Sequence, residues 1–409
     1  MHYVIIGASA AGLSAAETVR LLDPQGAITL ISEEAIRPYR RPMLTYLLGR
    51  EAGLDDIWLR PPSHFYKLGV RALLGEGVVQ VDPQAKEVHL AGGRVVRYDR
   101  LLVASGAQPR LLGIPGENLA GVFTLRHLAD WQKLEANLRA GAAVAVVGAG
   151  PVGLKAAEAL VRRGQRVILV EAEAGPLPRL LDQTAGFLLK QHLSGLGVEL
   201  YFETRPVAIL GDGGRVRALV LADGRELAVE VVLLAVGVRS RLEFFQGTSL
   251  ASDGPISVSS FLQTQYPEIF AAGDCTAVPD FFSGKPTSYQ IWPAAVSQGQ
   301  VAGANMVGAG RRYAGLLPQN SISIQGFKII SGGLLAPDPQ RTEVWSSFDD
   351  KRGVYRRLLF QEGCLVGVTL AGEVADAGIY FQIMAQKLPV KALPVDLRSP
   401  DFHPGKLWG

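Results

Sequence analysis

The stretch His2-Tyr3-Val4-Ile5-Ile6-Gly7-Ala8-Ser9-Ala10-Ala11-Gly12 decides how the rest of the chain is read. An apolar, β-branched run stops at a glycine. A loop of small residues then leads into the helical pattern Leu13 to Leu22. This order is strand, tight turn and helix N-terminus. It receives a dinucleotide pyrophosphate on backbone N–H groups and on the positive end of the helix dipole. Gly7 permits the turn, and Gly12 lets the helix pack close against the strand, with Ala10 and Ala11 on the loop between them. Ser9 stands where the fingerprint has its middle glycine, so the match is imperfect. A loop of this kind also occurs in α/β folds that bind nothing there, and later stretches decide the matter.

Composition sets the bounds. A chain of 409 residues suggests about two or three domains. A net charge of +3 gives no case for nucleic acid as a general partner. The basic clusters Arg37/Arg40/Arg41, Arg162/Arg163/Arg166 and Lys351/Arg352 with Arg356/Arg357 read as solvated faces. The two cysteines, Cys275 and Cys364, form neither a metal knuckle nor a local redox pair. Their sparseness suits a reducing cytoplasm. The first strand starts at residue 2, which leaves no room for a signal peptide. No apolar run approaches the roughly 20 residues that span a bilayer. The expectation is a cytoplasmic chain with no membrane span.

Outward from the opening, Ala27 to Ser32 is a second strand that ends at Glu33-Glu34. An acid at this place accepts hydrogen bonds from adenosine ribose hydroxyls; Glu33 is the first choice and Glu34 the reserve. The stretch from Arg37 to Thr45 holds two prolines and three arginines and reads as a stiff basic loop. Its cation is suited to a cofactor's phosphates or ring. A buried strand from Leu101 ends in Ala104-Ser105-Gly106, small residues where backbone approaches a ligand or another element.

The opening device then recurs. Ala143 to Val147 is a strand, and Gly148-Ala149-Gly150-Pro151-Val152-Gly153 is a full G-x-G-x-x-G before a helix. The next strand, Arg166 to Val170, ends at Glu171. A carboxylate there binds both ribose hydroxyls and repels a 2′-phosphate, which selects NAD(H) over NADP(H). Ala235-Val236-Gly237 echoes Ala104-Ser105-Gly106. A strand then delivers Asp274 at a glycine turn, and Ile291-Trp292-Pro293 opens a helix with proline in its first turn. Beyond residue 310 the pattern alternates: Asn320 to Gly333, Glu343 to Phe348, Tyr355 to Gln361 and Leu365 to Leu370 read as strands. Cys364 reads as a turn residue, and a helix from Ala375 to Lys387 closes the domain.

Two dinucleotide loops, two small-residue strand ends and Ala271-Ala272-Gly273-Asp274-Cys275 occur here in a fixed order. Together they resemble the two-dinucleotide flavoproteins that include the pyridine nucleotide-disulfide oxidoreductases. The likeness covers essentially the whole chain. It is closest to the branch of rubredoxin and ferredoxin reductases and the flavin part of NADH nitrite reductase. The resemblance implies an α/β chain with two Rossmann-like three-layer domains and a C-terminal α+β domain. FAD would lie on residues 1–107 and 238–309, NAD on 108–237, and the last domain would cover 310–409.

Roles follow from the resemblance. Gly7, Ser9, Ala10, Ala11 and Gly12 would hold FAD pyrophosphate, with Glu33 on the ribose and Val78 meeting adenine through its backbone. Ala104, Ser105 and Gly106 would border the same nucleotide, and Asp274 would bond the ribityl chain. Arg41 and Pro42 fall in the family's Pro-Tyr-x-(Lys/Arg)-Pro motif beside the flavin. The helix opening at Trp292 would aim its N-terminus at the pyrimidine edge. Gln325, on the first strand of the last domain, would either reach the ring or be an ordinary strand glutamine. Gly148, Gly150, Pro151, Val152, Gly153, Glu171 and Gly237 would hold NADH.

Two departures stand out. Pro42 occupies the position where single-cysteine members carry their redox thiol, so no thiolate is available to attack a disulfide. Cys275 then reads as a buried, inert side chain. Lys155 stands where relatives often have a glutamate near the nicotinamide. It either modulates the flavin together with Arg41 or forms an i,i+3 surface pair with Glu158. No acid–base residue is required. The implied reaction is hydride transfer between NADH and flavin, with electrons then passing singly to or from an iron–sulfur carrier of ferredoxin or rubredoxin type. Arg352, Arg356 and Arg357 would help dock an acidic carrier. The alternatives are an NADH oxidase or diaphorase using oxygen, quinone or small acceptors, and an NADH-binding non-catalytic subunit. The sequence leaves open a homodimer or a complex with a redox partner.

Overall fold

The computed structural model describes residues 1–335, 337–394, 396–399 and 402. The range expected for the last domain therefore ends outside the described residues. The chain divides into two compact units. The first comprises residues 1–44, 52–109 and 238–316; the second comprises 45–51, 110–237 and 317 onward.

In the first unit five strands pair in the order Ile269–Ala271, Arg100–Val103, His2–Ile6, Ala27–Ser32, Val70–Leu74, all parallel. Parallel pairing needs a crossover, which the helix Ala10–Leu22 supplies between the first two strands in sequence. The central strands are mostly apolar because both faces are covered. Tyr3, Ile5, Leu30 and Leu102 pack with Ala15, Val19 and Ala302 of the helices. Val4, Ile6, Ile31 and Leu101 face the other way, toward Val81 and Val88. Those two valines belong to an antiparallel ribbon of Val78–Asp82, Glu87–Leu90 and Val95–Arg97. The result is three layers: helices, parallel sheet, ribbon.

The second unit repeats the plan. Glu199–Tyr201, Arg166–Val170, Ala143–Val147, Val231–Leu234 and Val122–Phe123 form a parallel sheet in that order. A ribbon of Pro206–Asp212, Arg215–Leu221 and Glu226–Ala228 packs Leu219 and Leu221 with Ala145, Ile168 and Val170. The same unit holds an antiparallel sheet ordered Gln319–Ile324, Phe327–Gly333, Cys364–Ala371, Val354–Gln361, Glu343–Asp349. The helix Ala377–Gln386 seats Tyr380 and Met384 with Leu358, Val368 and Leu370. Among the described residues, no helix is long and apolar enough to cross a membrane.

Three local expectations are corrected. Asn320 to Gly333 is a hairpin rather than one strand: Ile324 pairs with Phe327 across Gln325-Gly326. Gln325 has φ +40° and Gly326 φ +90°, as a tight two-residue loop requires. Gln325 is therefore a turn residue, not a strand residue. Cys364 begins a strand, because the turn before it is made by Glu362 and Gly363 at φ +49° and +75°. The stretch from Arg37 to Thr45 does not stay a loop. Arg41–Met43 and Leu44–Leu48 coil into short helical turns, with proline suited to the first of them.

Candidate functional site: two matched glycine cradles

In the first unit, Gly7 turns the chain off the central strand at φ +111°. Its N–H donates to the Ile31 carbonyl at 2.8 Å, and the Ala104 N–H donates to the Ile6 carbonyl at 2.8 Å. A Cβ at Gly7 would lie 2.0 Å from the Ala104 oxygen, and one at Gly12 would lie 1.8 Å from the Gly7 oxygen. Only glycine fits either place. The loop is thereby pressed onto the strand ends, and Ser9, Ala10 and Ala11 open the helix.

The second unit builds the same cradle. Gly148 has φ +103°, and its N–H donates to the Val170 carbonyl at 2.7 Å. The Ala235 N–H donates to the Val147 carbonyl at 2.8 Å. A Cβ at Gly148 would lie 2.5 Å from the Ala235 oxygen, and one at Gly153 1.9 Å from the Gly148 oxygen. Gly150 faces open space, so nothing in the protein fills the room its missing side chain leaves. Pro151 starts the helix Pro151–Arg162, and Val152 in its first turn is exposed. Gly237 turns at φ +93°, and its carbonyl accepts the Arg110 N–H at 3.0 Å.

The helix ends at these places are open to an anion. The helices Ala10–Leu22, Pro151–Arg162 and Trp292–Met306 have no side-chain cap and no acid in the first turn. By contrast, Asp182 caps the helix Gln183–Gly195 by accepting from Thr184 and Ala185 N–H. Asp130, in the first turn of Leu128–Asn137, accepts the His127 N–H at 2.9 Å and places a carboxylate at that helix end. The three uncapped ends keep orphan N–H groups and positive potential available to an anionic or electron-rich ligand. Glycine-only contacts, an open Gly150 and uncapped helix ends fit dinucleotide phosphates at both loops.

The acids behave differently at the two sites. Glu171 follows its strand as Glu33 follows Ala27–Ser32. Its carboxylate accepts the Ala149 N–H at 2.7 Å and the Glu173 N–H at 3.0 Å, and so is fixed beside the loop. Glu33 is exposed and takes both ends of the Arg241 guanidinium. The Arg241 backbone is anchored as well. Its carbonyl accepts the Ser105 hydroxyl at 2.7 Å, and its N–H donates to the Gly106 carbonyl at 3.2 Å. Sequence reasoning missed Arg241, since nothing in its neighbourhood advertises a partner in residues 27–34.

Glu34 accepts the Tyr39 hydroxyl at 2.8 Å and pairs with Arg41. The reserve ribose acid is thus the counter-ion of the flavin-motif cation. Arg41 also donates to the Tyr39 hydroxyl at 3.1 Å. Pro42, next to it, is exposed. Val78 opens the antiparallel ribbon half-buried and pairs with Leu90 at a bulge. Asp274 is half-buried after Gly273, whose φ is +88°. Trp292 is the first residue of its helix.

Lys155 proves to be one member of a network. It pairs with Glu158, donates to the Ser323 carbonyl at 3.2 Å and lies 5.0 Å over the Tyr46 ring. Glu158 is only 3% exposed, so the i,i+3 pair with Lys155 forms but lies beneath the surface. Its other oxygen accepts Arg162 at 3.1 Å and the Gln325 N–H at 2.7 Å. Gln325 meets the network through its backbone.

The basic clusters are only partly solvated. Arg163 donates to the Leu48 carbonyl at 3.1 Å and pairs with Glu135, whose carboxyl is held below its ordinary range by Arg163 and Arg50 against the opposing effect of burial. Arg356 donates to the Ser399 carbonyl at 2.8 Å and to the Tyr380 hydroxyl at 3.2 Å. Arg357 lies 3.8 Å from Asp182 and is largely buried. Arg352 is exposed beside Glu373. A docking patch of all three arginines is therefore not what the fold presents, because two of them hold it together.

Two copies of one cradle, each with an acid just past the second strand, define a protein that holds two dinucleotides. Residues 1–299 match the pyridine nucleotide-disulphide oxidoreductase family, and the chain belongs to it. The cofactors of this family are FAD and NADH. The chain is 31% identical over 375 residues to the assimilatory nitrate reductase electron transfer subunit of Bacillus subtilis (strain 168). That match covers 91% of this chain and 48% of the relative, so the chain spans about half of that relative's length. It is 30% identical over 394 residues to the NADH-dependent phenylglyoxylate dehydrogenase subunit epsilon of Aromatoleum evansii, covering 96% and 93% of the two chains. The ferredoxin reductase for the CYP199A2 system from Rhodopseudomonas palustris superposes with a TM-score of 0.85 at 26% identity, over 92% of each chain.

Proposed function

We propose that this chain moves electrons between NADH and an iron–sulfur protein of ferredoxin or rubredoxin type, using FAD as its resident cofactor. The state of the thiols carries this reading. Pro42 stands in the flavin motif, Cys364 heads a strand of the antiparallel sheet, and Cys275 is fully buried. Burial pushes the Cys275 thiol up to about 11, and its Sγ lies 3.4 Å from the Val103 carbonyl. Without a working thiolate the chain offers no disulfide relay to a substrate. When bound, FAD accepts a hydride from NADH and gives up its electrons singly, as a one-electron carrier requires.

The chain's own residues bind and orient. Gly7 to Gly12 present N–H groups to the FAD pyrophosphate, with Glu33 at the ribose, Val78 at the adenine and Asp274 at the ribityl chain. Gly148 to Gly153, Glu171 and Gly237 do the same for NADH, and Glu171 disfavours a 2′-phosphate. Arg41 and the N-terminus at Trp292 supply positive potential on the flavin side. On this reading residues 1–107 and 238–309 hold FAD, 108–237 hold NADH, and 310–409 form the third domain. The relatives named as subunits, and the reductase of a ferredoxin system, support electron transfer as the task. Two free cysteines support a cytoplasmic location.

The test is anaerobic stopped-flow spectroscopy on the FAD-loaded protein. NADH is expected to bleach the flavin, and added ferredoxin or rubredoxin to restore its colour faster than oxygen or a dye does. Faster reoxidation by oxygen, quinone or dye would favour an NADH oxidase or diaphorase. A flavin that NADH does not bleach would favour a non-catalytic subunit. Light scattering with and without the carrier distinguishes a homodimer from a carrier complex.

A further inference from the structure

Gln298 sits in the helix Trp292–Met306 and is 0% exposed. Its Oε1 accepts the Gly273 N–H at 2.7 Å. The Thr276 hydroxyl lies 3.1 Å from the same oxygen and 2.7 Å from the Gly273 carbonyl. The buried amide oxygen thus holds the Gly273 N–H, and the Thr276 hydroxyl, donating chiefly to the Gly273 carbonyl, closes the same turn that presents Asp274. Gly273 turns at φ +88°, where a Cβ would meet the Ala11 side chain at 3.2 Å, so the turn is built on glycine and its N–H is buried. The next residue, Gly299, explains how Gln298 gets there. A Cβ at Gly299 would lie 2.2 Å from the Ala11 carbonyl oxygen, so the helix backbone runs against the first helix and brings position 298 to the turn.

We propose that Gln298 is a positioning residue for Asp274, fixing the turn so that the aspartate meets the ribityl chain of FAD. The proposal rests on the reading of Asp274 given above. Without an acceptor at 298 the Gly273 N–H is buried and unpaired, and the turn must shift to find one.

The experiment titrates apoprotein separately with FAD and with ADP. ADP fills the loop at Gly7 and the site at Glu33 but has no ribityl chain. Gln298→Met, close in shape and lacking the acceptor, is expected to weaken FAD about tenfold to a hundredfold and ADP less than about twofold. In an Asp274→Ala background the same substitution is expected to add less than about twofold. Thr276→Val provides a second probe should the methionine variant fail to fold. It is expected to weaken FAD about threefold and leave ADP unchanged. Equal losses for FAD and ADP, or an undiminished loss in the Asp274→Ala background, would overturn the proposal. An Asp274→Ala protein that binds FAD as the native chain does would instead overturn the ribityl assignment itself.

Discussion

The Arg241 guanidinium donates to both carboxylate oxygens of Glu33, 208 residues earlier in the chain. The acid assigned to the FAD ribose thus comes with its own cation, itself tied to Ser105 and Gly106. A two-pronged pair fixes the carboxylate's orientation and leaves its outer lone pairs for hydroxyl donors. Arg241→Gln is expected to weaken FAD about threefold to tenfold, with the difference shrinking as salt rises. Calorimetric titration at low and high salt measures it. Unchanged affinity at low salt would detach Arg241 from the nucleotide.

The two helix glycines give a paired prediction. A Cβ at Gly12 or Gly153 meets backbone oxygen at 1.8 or 1.9 Å, and no rotamer relieves that. Overpacking of this kind costs about 1 to 3 kcal/mol. Gly12→Ala is expected to yield protein with little bound flavin. Gly153→Ala is expected to keep its flavin and raise KM for NADH at least about tenfold. Flavin content per chain and steady-state kinetics separate the outcomes.

Glu158 is the keystone of its network. Glu158→Ala leaves Lys155 without its carboxylate and the Gln325 N–H without its acceptor, while Arg162 keeps Glu51, a loss of about 1 to 3 kcal/mol. Lys155→Met is expected to cost much less, since Glu158 keeps Arg162 and the Gln325 N–H. Urea unfolding midpoints give both numbers. A Lys155→Met protein of native stability but raised KM for NADH would show Lys155 acting on the nicotinamide rather than on the network.

The thiols make a prediction in pH. Burial raises the Cys275 thiol from 9.0 to about 11 in the folded chain. The contribution is complete below about pH 9 and is lost as pH rises toward 11, because the unfolded chain ionises first. The full effect is about 2 to 3 kcal/mol. Denaturant titrations from pH 8 upward should show a loss that Cys275→Ala lacks. At neutral pH a thiol reagent is expected to modify Cys364 and to reach Cys275 only on unfolding.

Both cradles were legible because each demands glycine at fixed spacing within a dozen residues, where geometry is local. The layered plan was legible for a related reason: apolar strands alternate with helical patterns. Partnerships across the chain were not. Gln298 lies 25 residues from Gly273, and Glu158 lies 167 from Gln325, and no single-sequence signal joins such positions. Gln325 was misplaced because alternation runs through the hairpin, although Gly326 marks the break. Arg356 and Arg357 looked solvated because charge runs usually are. They lie on the strand Val354–Gln361 between two neighbouring strands, where Arg356 reaches Tyr380 and Ser399 and Arg357 reaches Asp182, partners far off in sequence.

The seam between the first helix and the helix Trp292–Met306 is closed backbone to backbone. Gly299 and Gly303 lie directly over the Ala11 and Ala15 backbone, so no side chain along those positions can swing aside to make a gap. Breathing there requires two whole helices to part. If FAD lies beside this joint as proposed, loss of yellow colour on heating is expected to track loss of fold, measured by flavin absorbance and circular dichroism on one sample.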